Sequence, residues 1–157
     1  MTALRVKLSE IIGGMEFQSD ETSSFLDRRS GRVVSISDSE YRAAEDGDPL
    51  EDYPEWEQEI IQTAADIEKN PKDCVLLPSK FDIHEYRIME KFCLSIEDTE
   101  ICERLYHAIK GRGAFRRFKD EIHRLDIADD WYKFRDEALK KISIEWCEAN
   151  KIEYADD

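Results

Sequence analysis

The sequence lacks any apolar run near the ~20 residues that a membrane-spanning helix needs, which excludes an integral membrane protein. Glycine and proline are scarce, at six and four of 157 residues, which excludes collagen-like and low-complexity chains. No apolar segment of the secretory type follows Met1, so a cytoplasmic protein is expected. The chain does have 41% apolar and 10% aromatic residues, too many for a disordered protein. Its length suits one domain, and we predict a single globular domain over residues 1–157.

Paired cysteines are also lacking, because no C-x-x-C pair occurs among Cys74, Cys93, Cys102 and Cys147. We predict four reduced thiols facing the core, consistent with a reducing compartment. No cysteine and histidine stand at the spacing of a zinc site. The three histidines, His84, His107 and His123, are too far apart in sequence to share one helix face. The sequence therefore predicts no metal site and no cofactor.

Positive charge is in deficit, since 37 acidic residues face 23 basic ones and the net charge is −14. Phosphate groups need a positive protein face, so an extended nucleic-acid duplex is not an expected partner. Residues 38–68 are strongly acidic, with twelve acidic side chains and one basic side chain. Residues 104–119, which we call the basic segment, reverse this pattern with six basic side chains and no acidic one. That reversal makes the basic segment the most distinctive stretch of the chain.

Hydrophobic periodicity predicts a mostly helical α+β fold, with an N-terminal helix and a β-hairpin packed on a C-terminal bundle of about four to five helices. The helix and the hairpin are assigned to residues 1–37, with the helix over 4–17. An acidic loop is expected over 38–53. The helical part is expected over 54–154, and the tail beyond it is expected to fray.

Several local features within the helical part can be assigned. Trp56 is expected on the apolar, core-facing stripe of the first helix there. The short apolar run 74–78 is either a strand or a buried connector. Asp82 is predicted to be the N-cap of the next helix, and Asp129 or Asp130 that of the last one.

The basic segment contains the candidate site. Gly111 and Gly113 flank a predicted helix start, where free backbone N–H groups and the positive end of the helix dipole favour an anion. The Arg112 guanidinium is planar and suits phosphate or carboxylate. The candidate anion-binding residues on and around this loop are Lys110, Gly111, Arg112, Gly113, Arg116, Arg117 and Arg135.

A purely structural interpretation competes with this one. The two glycines then only end one helix and let two helices cross, while Phe115 and Phe118 both enter the core. The arginines then pair with the protein's own acidic groups. Arg135 either pairs with Asp120 or Glu121 or joins the loop arginines in one pocket, and the sequence leaves both arrangements open.

Longer motifs resemble a known family. They are GRGAFRRF at 111–118, WYKFR at 131–135, EW at 145–146, NKIE at 150–153 and the FLDxxxGxVV hairpin at 25–34. With these motifs the chain resembles the bacterial uncharacterised protein family 0158, a UPF-type family. The resemblance implies a small bacterial protein of unassigned function, and it transfers no catalytic residues.

The functional prediction is a non-catalytic binding or regulatory protein, and an enzyme is the less favoured interpretation. The expected partner is another protein or a second copy of the chain, because the acidic and basic segments offer complementary charge. The alternative is a phosphate-bearing ligand, such as a nucleotide or a single-stranded nucleic acid, bound by residues 110–119. No membrane partner is expected.

Overall fold

The computed structural model describes residues 5–157, so the start of the predicted helix at Leu4 lies outside the described residues. The chain divides into two compact units. Unit 1 comprises Met1–Asp82 and Ile142–Asp157, and unit 2 comprises Ile83–Lys141. The mostly helical α+β class is confirmed, while one domain over the whole chain stays a prediction.

Unit 1 begins with the predicted helix and hairpin. Its first elements are β1 (Val6–Lys7), α1 (Leu8–Phe17), β2 (Thr22–Asp27) and β3 (Val33–Ser37). Strands β2 and β3 pair in antiparallel register, which confirms the hairpin. The run after residue 73 is a strand, β4 (Cys74–Leu76), and it pairs with β2 on the side away from β3. The sheet order is therefore β3–β2–β4, with β3 at one edge.

The acidic stretch is not a loop, so that prediction is wrong. Residues Asp38–Asp46 form α2, and a 3-10 turn at Leu50–Asp52 leads to α3 (Glu55–Lys69). A capping box starts α2, because Ser37 accepts from the Glu40 N–H while the Glu40 side chain accepts from the Ser37 N–H. Acidic side chains near the N-terminus of a helix also stabilise it, because they interact favourably with the positive end of the helix dipole. These local effects outweigh the repulsion among the acidic residues.

The C-terminal tail is ordered and held to the start of unit 1, against expectation. Strand β5 (Tyr154–Ala155) pairs in parallel with β1, and the Asp157 carboxylate accepts from the Ser9 N–H (3.1 Å) and hydroxyl (2.5 Å). These hydrogen bonds lower the pKa of Asp157. A partner 148 positions away in sequence leaves no local signal, so periodicity could not reveal this pairing.

Unit 2 contains helices connected by short turns. They are α5 (Glu85–Ser95), α6 (Thr99–Ala108), α7 (Ala114–Arg124) and the first part of α8 (Ala128–Ala149). The last residue of α4 (Lys80–Ile83) also belongs to unit 2. Its core is an aromatic cluster in which the Phe118 ring lies 4.8 Å from that of Trp131 and 6.1 Å from that of Phe92, both edge-on. The Phe134 ring lies 5.4 Å from that of Phe92. Such contacts link α5, α7 and α8 and fix the position of the turn before α7.

Two helix-start predictions need correction. Asp82 is not the N-cap of α5, because α5 starts at Glu85 after His84 adopts a left-handed conformation. The Asp82 carboxylate instead accepts from the Ser79 backbone N–H at 2.9 Å. Asp129 and Asp130 lie inside the first turn of α8 rather than before it. There their negative charge still interacts favourably with the positive end of the helix dipole.

Candidate functional site

The predicted anion-binding residues lie mainly on the loop Lys110–Gly113, which we call the basic loop, and on the first turns of α7. Gly111 and Gly113 have φ values of +76° and +75°, a region that other residues adopt at a cost. A Cβ on Gly113 would also lie 3.1 Å from Arg117 Nη1. The glycines therefore give the basic loop its shape, and the loop presents its basic side chains to solvent.

Arg117 holds the basic loop in place. Its Nε donates to the carbonyl oxygen of Ala108 at 2.9 Å, and its terminal nitrogens donate to the carbonyl oxygens of Lys110 and Arg112. Carbonyls at a helix C-terminus lack partners within the helix, so one guanidinium here satisfies three backbone acceptors. Arg117 is thus a structural residue of the loop rather than a free cation.

We expect Arg117→Ala to lower the free energy of unfolding by about 1–2 kcal/mol, because charge-assisted hydrogen bonds are strong but these are partly solvated. Arg117→Lys should lose most of the same stability, since an ammonium group cannot match the planar guanidinium. Urea titration followed by circular dichroism measures both. Arg116→Ala is the matched control and should change little, and an equal loss there would contradict the structural role.

Arg135 forms an ion pair with a residue outside the basic loop. Its Nε is 2.7 Å from Glu85 Oε1, an ion pair between α8 and the first residue of α5. Glu121, one of the two partners expected from the sequence, is bound by Arg104 at 2.9 Å and by Arg124 at 3.5 Å. The sequence left open whether Arg135 pairs with Asp120 or Glu121 or joins the loop arginines. The structure shows an ion pair with Glu85, an acidic residue far away in sequence.

Besides Arg117, three cations of the candidate site are exposed. Lys110 Nζ lies 4.0 Å from the centre of the Tyr106 ring, and a hydrogen bond with that phenol raises the pKa of Lys110. Within the described part of the chain, Arg112 and Arg116 form no ion pair. Helix α7 starts without a side-chain cap and without an acidic residue in its first turn. The basic loop therefore retains uncompensated positive charge in an acidic protein.

A second surface, which the sequence did not predict, lies in unit 1. A groove of about 830 Å³ runs between α1 and α3 along β3. Phe17 and Trp56 line this groove, and their exposed fractions are 66% and 67%. Large aromatic side chains left in water beside a concave surface are typical of interaction sites.

Trp56 was expected in the core, and that prediction is wrong. The buried face of α3 is centred on Ile61 and Ala64. At about 100° per residue, Trp56 lies about 140° around the helix from Ile61. An apolar stripe that includes both Trp56 and Ile61 is therefore too wide, because the buried residues of α3 lie on the side away from Trp56.

One edge of the three-stranded sheet opens into the groove. The Asp27 N–H donates to the Arg32 carbonyl oxygen at 2.9 Å, which sets the register of β2 with β3. Bonded pairs alternate in an antiparallel ladder, so the peptide groups of Val33 and Ser35 point away from β2. Since β3 is the outer strand, these groups lie at a free edge.

Carboxyl groups also line the groove. Glu40 is 8% exposed and accepts from the Ser37 N–H at 2.9 Å, so its position is fixed by the capping box of α2. Glu57 lies beside it, and desolvation together with the charge and hydrogen bond of Glu40 raises the pKa of Glu57. Glu10 also lines the groove, while Arg32 is a basic residue of the lining. The lining thus carries an excess of acidic groups.

The cysteines are free thiols in the structure. Cys93 and Cys147 are buried, and burial raises the pKa of each thiol to about 11. Their thiolate forms are therefore scarce near neutral pH. Among residues 5–157, no cluster of three or more His, Cys, Asp or Glu side chains is arranged to hold a metal ion. No helix of that same range combines the length and apolar character needed to cross a membrane.

Comparison with known proteins gives a family. The protein of Pseudomonas aeruginosa named UPF0158 protein PA5073 is 26% identical over 132 residues, which cover 83% of this chain and 74% of that protein. No solved structure matches the chain. The family model described as uncharacterised protein family UPF0158 matches residues 1–157. The match spans both the groove and the basic loop, and the chain belongs to the uncharacterised protein family UPF0158.

Proposed function

We propose that this chain is a non-catalytic binding protein that holds a segment of a partner protein in the groove of unit 1. The observation that carries the proposal is the pair of exposed aromatic rings, Phe17 and Trp56, beside the free edge of β3. Exposed tryptophan is costly in water and is enriched where binding energy is concentrated. A concave surface with a free strand edge suits a peptide segment.

An unbiased peptide-display library panned on the full chain tests this proposal. We expect selected peptides that bind the wild type and lose binding to Trp56→Ala. Tyr132→Ala, which removes an exposed aromatic residue of unit 2, is the matched control and should leave binding unchanged. A library that yields no peptide dependent on Trp56 would overturn the proposal.

A second candidate function is the binding of a phosphate-bearing ligand at the basic loop. The unpaired, exposed Arg112 and Arg116 beside the uncapped start of α7 favour it. The acidic remainder of the chain repels a long duplex, so a mononucleotide or a short single strand is the expected ligand.

Thermal shift at low salt with inorganic phosphate, mononucleotides and short single-stranded RNAs tests the second candidate. We expect stabilisation that falls steeply with added salt. The double variant Arg112→Glu/Arg116→Glu should abolish it, and Arg87→Glu/Lys91→Glu on α5 is the charge-matched control. Absence of stabilisation by all three classes of ligand would reject the candidate.

A further inference from the structure

We propose that the occupant of the groove is an extended, basic segment of a partner protein, which adds to the sheet as a strand beside β3. This inference rests on the proposed function and specifies its ligand. It joins two independent features, a free backbone edge and an acidic, aromatic lining. Each feature selects a different property of the segment.

The backbone edge selects an extended conformation. Val33 and Ser35 offer outward N–H and C=O groups, and a peptide strand pairs with such groups about 4.8 Å away. The helices leave a groove along this edge, and the groove is lined by residues of α1, α2, α3, β2 and β3. An exposed edge strand without a partner can pair with other chains and aggregate, so proteins usually cover such an edge or place charged residues along it.

The lining selects positive charge. Glu10, Glu40 and Glu57 line the groove against one arginine, Arg32. The Trp56 ring beside Glu57 suits a guanidinium, which can lie over the ring and also bond to a carboxylate. Side chains of an added strand alternate between two faces, so every second residue would reach this wall.

A second copy of this chain fits the groove less well than a separate partner. The longest stretch with basic and no acidic side chains, residues 104–119, lies on the end of α6, the basic loop and α7. Gly111 and Gly113 turn that loop sharply through two left-handed residues. Neither a helix nor such a turn supplies an extended strand, so the partner segment is expected to belong to another protein.

The test uses the full chain and a labelled peptide of alternating arginine and valine, followed by fluorescence anisotropy. The reference peptide replaces each arginine with glutamate. We expect the basic peptide to bind at least about tenfold more tightly than the acidic one, since like charges repel at an interface. Trp56→Ala should weaken its binding by about tenfold. Glu57→Gln should weaken binding by roughly threefold to tenfold, and Glu59→Gln on the exposed side of α3 is the charge-matched control.

Backbone methylation tests the strand addition itself. Two basic peptides carry N-methyl groups on alternate residues, one on the odd positions and one on the even positions. Only one of the two should retain binding, because an added strand bonds to β3 through every second residue. Equal binding by both would overturn the strand addition.

The outcomes separate this inference from the proposed function. Peptides that depend on Trp56 but are acidic or apolar would overturn the inference and leave the proposed function standing. No peptide dependent on Trp56 would overturn both. Concentration-dependent self-association in sedimentation, lost in Glu57→Gln and kept in Glu59→Gln, would show a second copy in the groove and overturn the inference.

Discussion

Phe118→Ala is expected to lower the free energy of unfolding by about 3–5 kcal/mol, the range for removing a large aromatic side chain from a core. Phe118 is 1% exposed, and its ring contacts those of Phe92 and Trp131. Truncation removes these edge-on contacts and leaves a cavity between α5, α7 and α8. Urea unfolding followed by circular dichroism measures the loss.

Phe115→Ala is the matched control on the same helix. Phe115 lies three residues earlier and is 49% exposed, so its loss should cost less than about 1 kcal/mol. The structural interpretation of the basic segment placed both phenylalanines in the core, and the structure buries Phe118 and leaves Phe115 exposed. Equal destabilisation by the two variants would contradict this difference in burial.

Gly14→Ala is expected to destabilise unit 1 by about 1–3 kcal/mol, the usual cost of forcing extra volume into a packed core. A Cβ there would lie 2.7 Å from the side chains of both Leu77 and Val33. The fit is tight because α1 lies directly on the sheet, where the Ser24 hydroxyl donates to the Gly14 carbonyl oxygen at 2.8 Å. Thermal or urea unfolding measures the cost.

Gly13→Ala should have the opposite sign. No atom lies within 4 Å of a Cβ at Gly13, and alanine is favoured over glycine inside a helix by roughly 1 kcal/mol. Gly14→Ala also presses on Val33, so it should weaken binding of the basic peptide at the β3 edge. Similar effects of the two variants on stability would show that α1 is not held closely against the sheet.

The sequence predicted the hairpin well because its signals are local. A turn with Gly31 lies between two β-type runs, and Gly31 has the positive φ expected of such a turn. The acidic stretch forms a helix where a loop is predicted, because capping at its start outweighs the repulsion among its acidic side chains. Ser37 followed three residues later by Glu40 is a helix-start pattern in its own right, and α2 begins there.

The anion-binding role of the candidate site stays a prediction. Residues 104–119 were identified by charge, and the exposed Arg112 and Arg116 retain the properties that the prediction needed. Arg117 and Arg135 have the same charge but different partners, three backbone carbonyls for one and Glu85 for the other. Charge is a property of the residue type, whereas its partner depends on which elements meet, and the sequence does not contain that information in readable form.

By itself, the sequence determined the mostly helical α+β class, the hairpin, the separation of acidic and basic segments and the family resemblance. These follow from composition and from periods of two and 3.6 residues, which are local properties of the chain. Only the tertiary structure decided that β3 is an edge strand, that Trp56 is exposed beside it and that Arg117 is bound to the backbone. Each of these features depends on which elements pack together, although those elements are distant in sequence, or on what lies next to a given helix face. The periodicity of the sequence is a local property and does not contain this information.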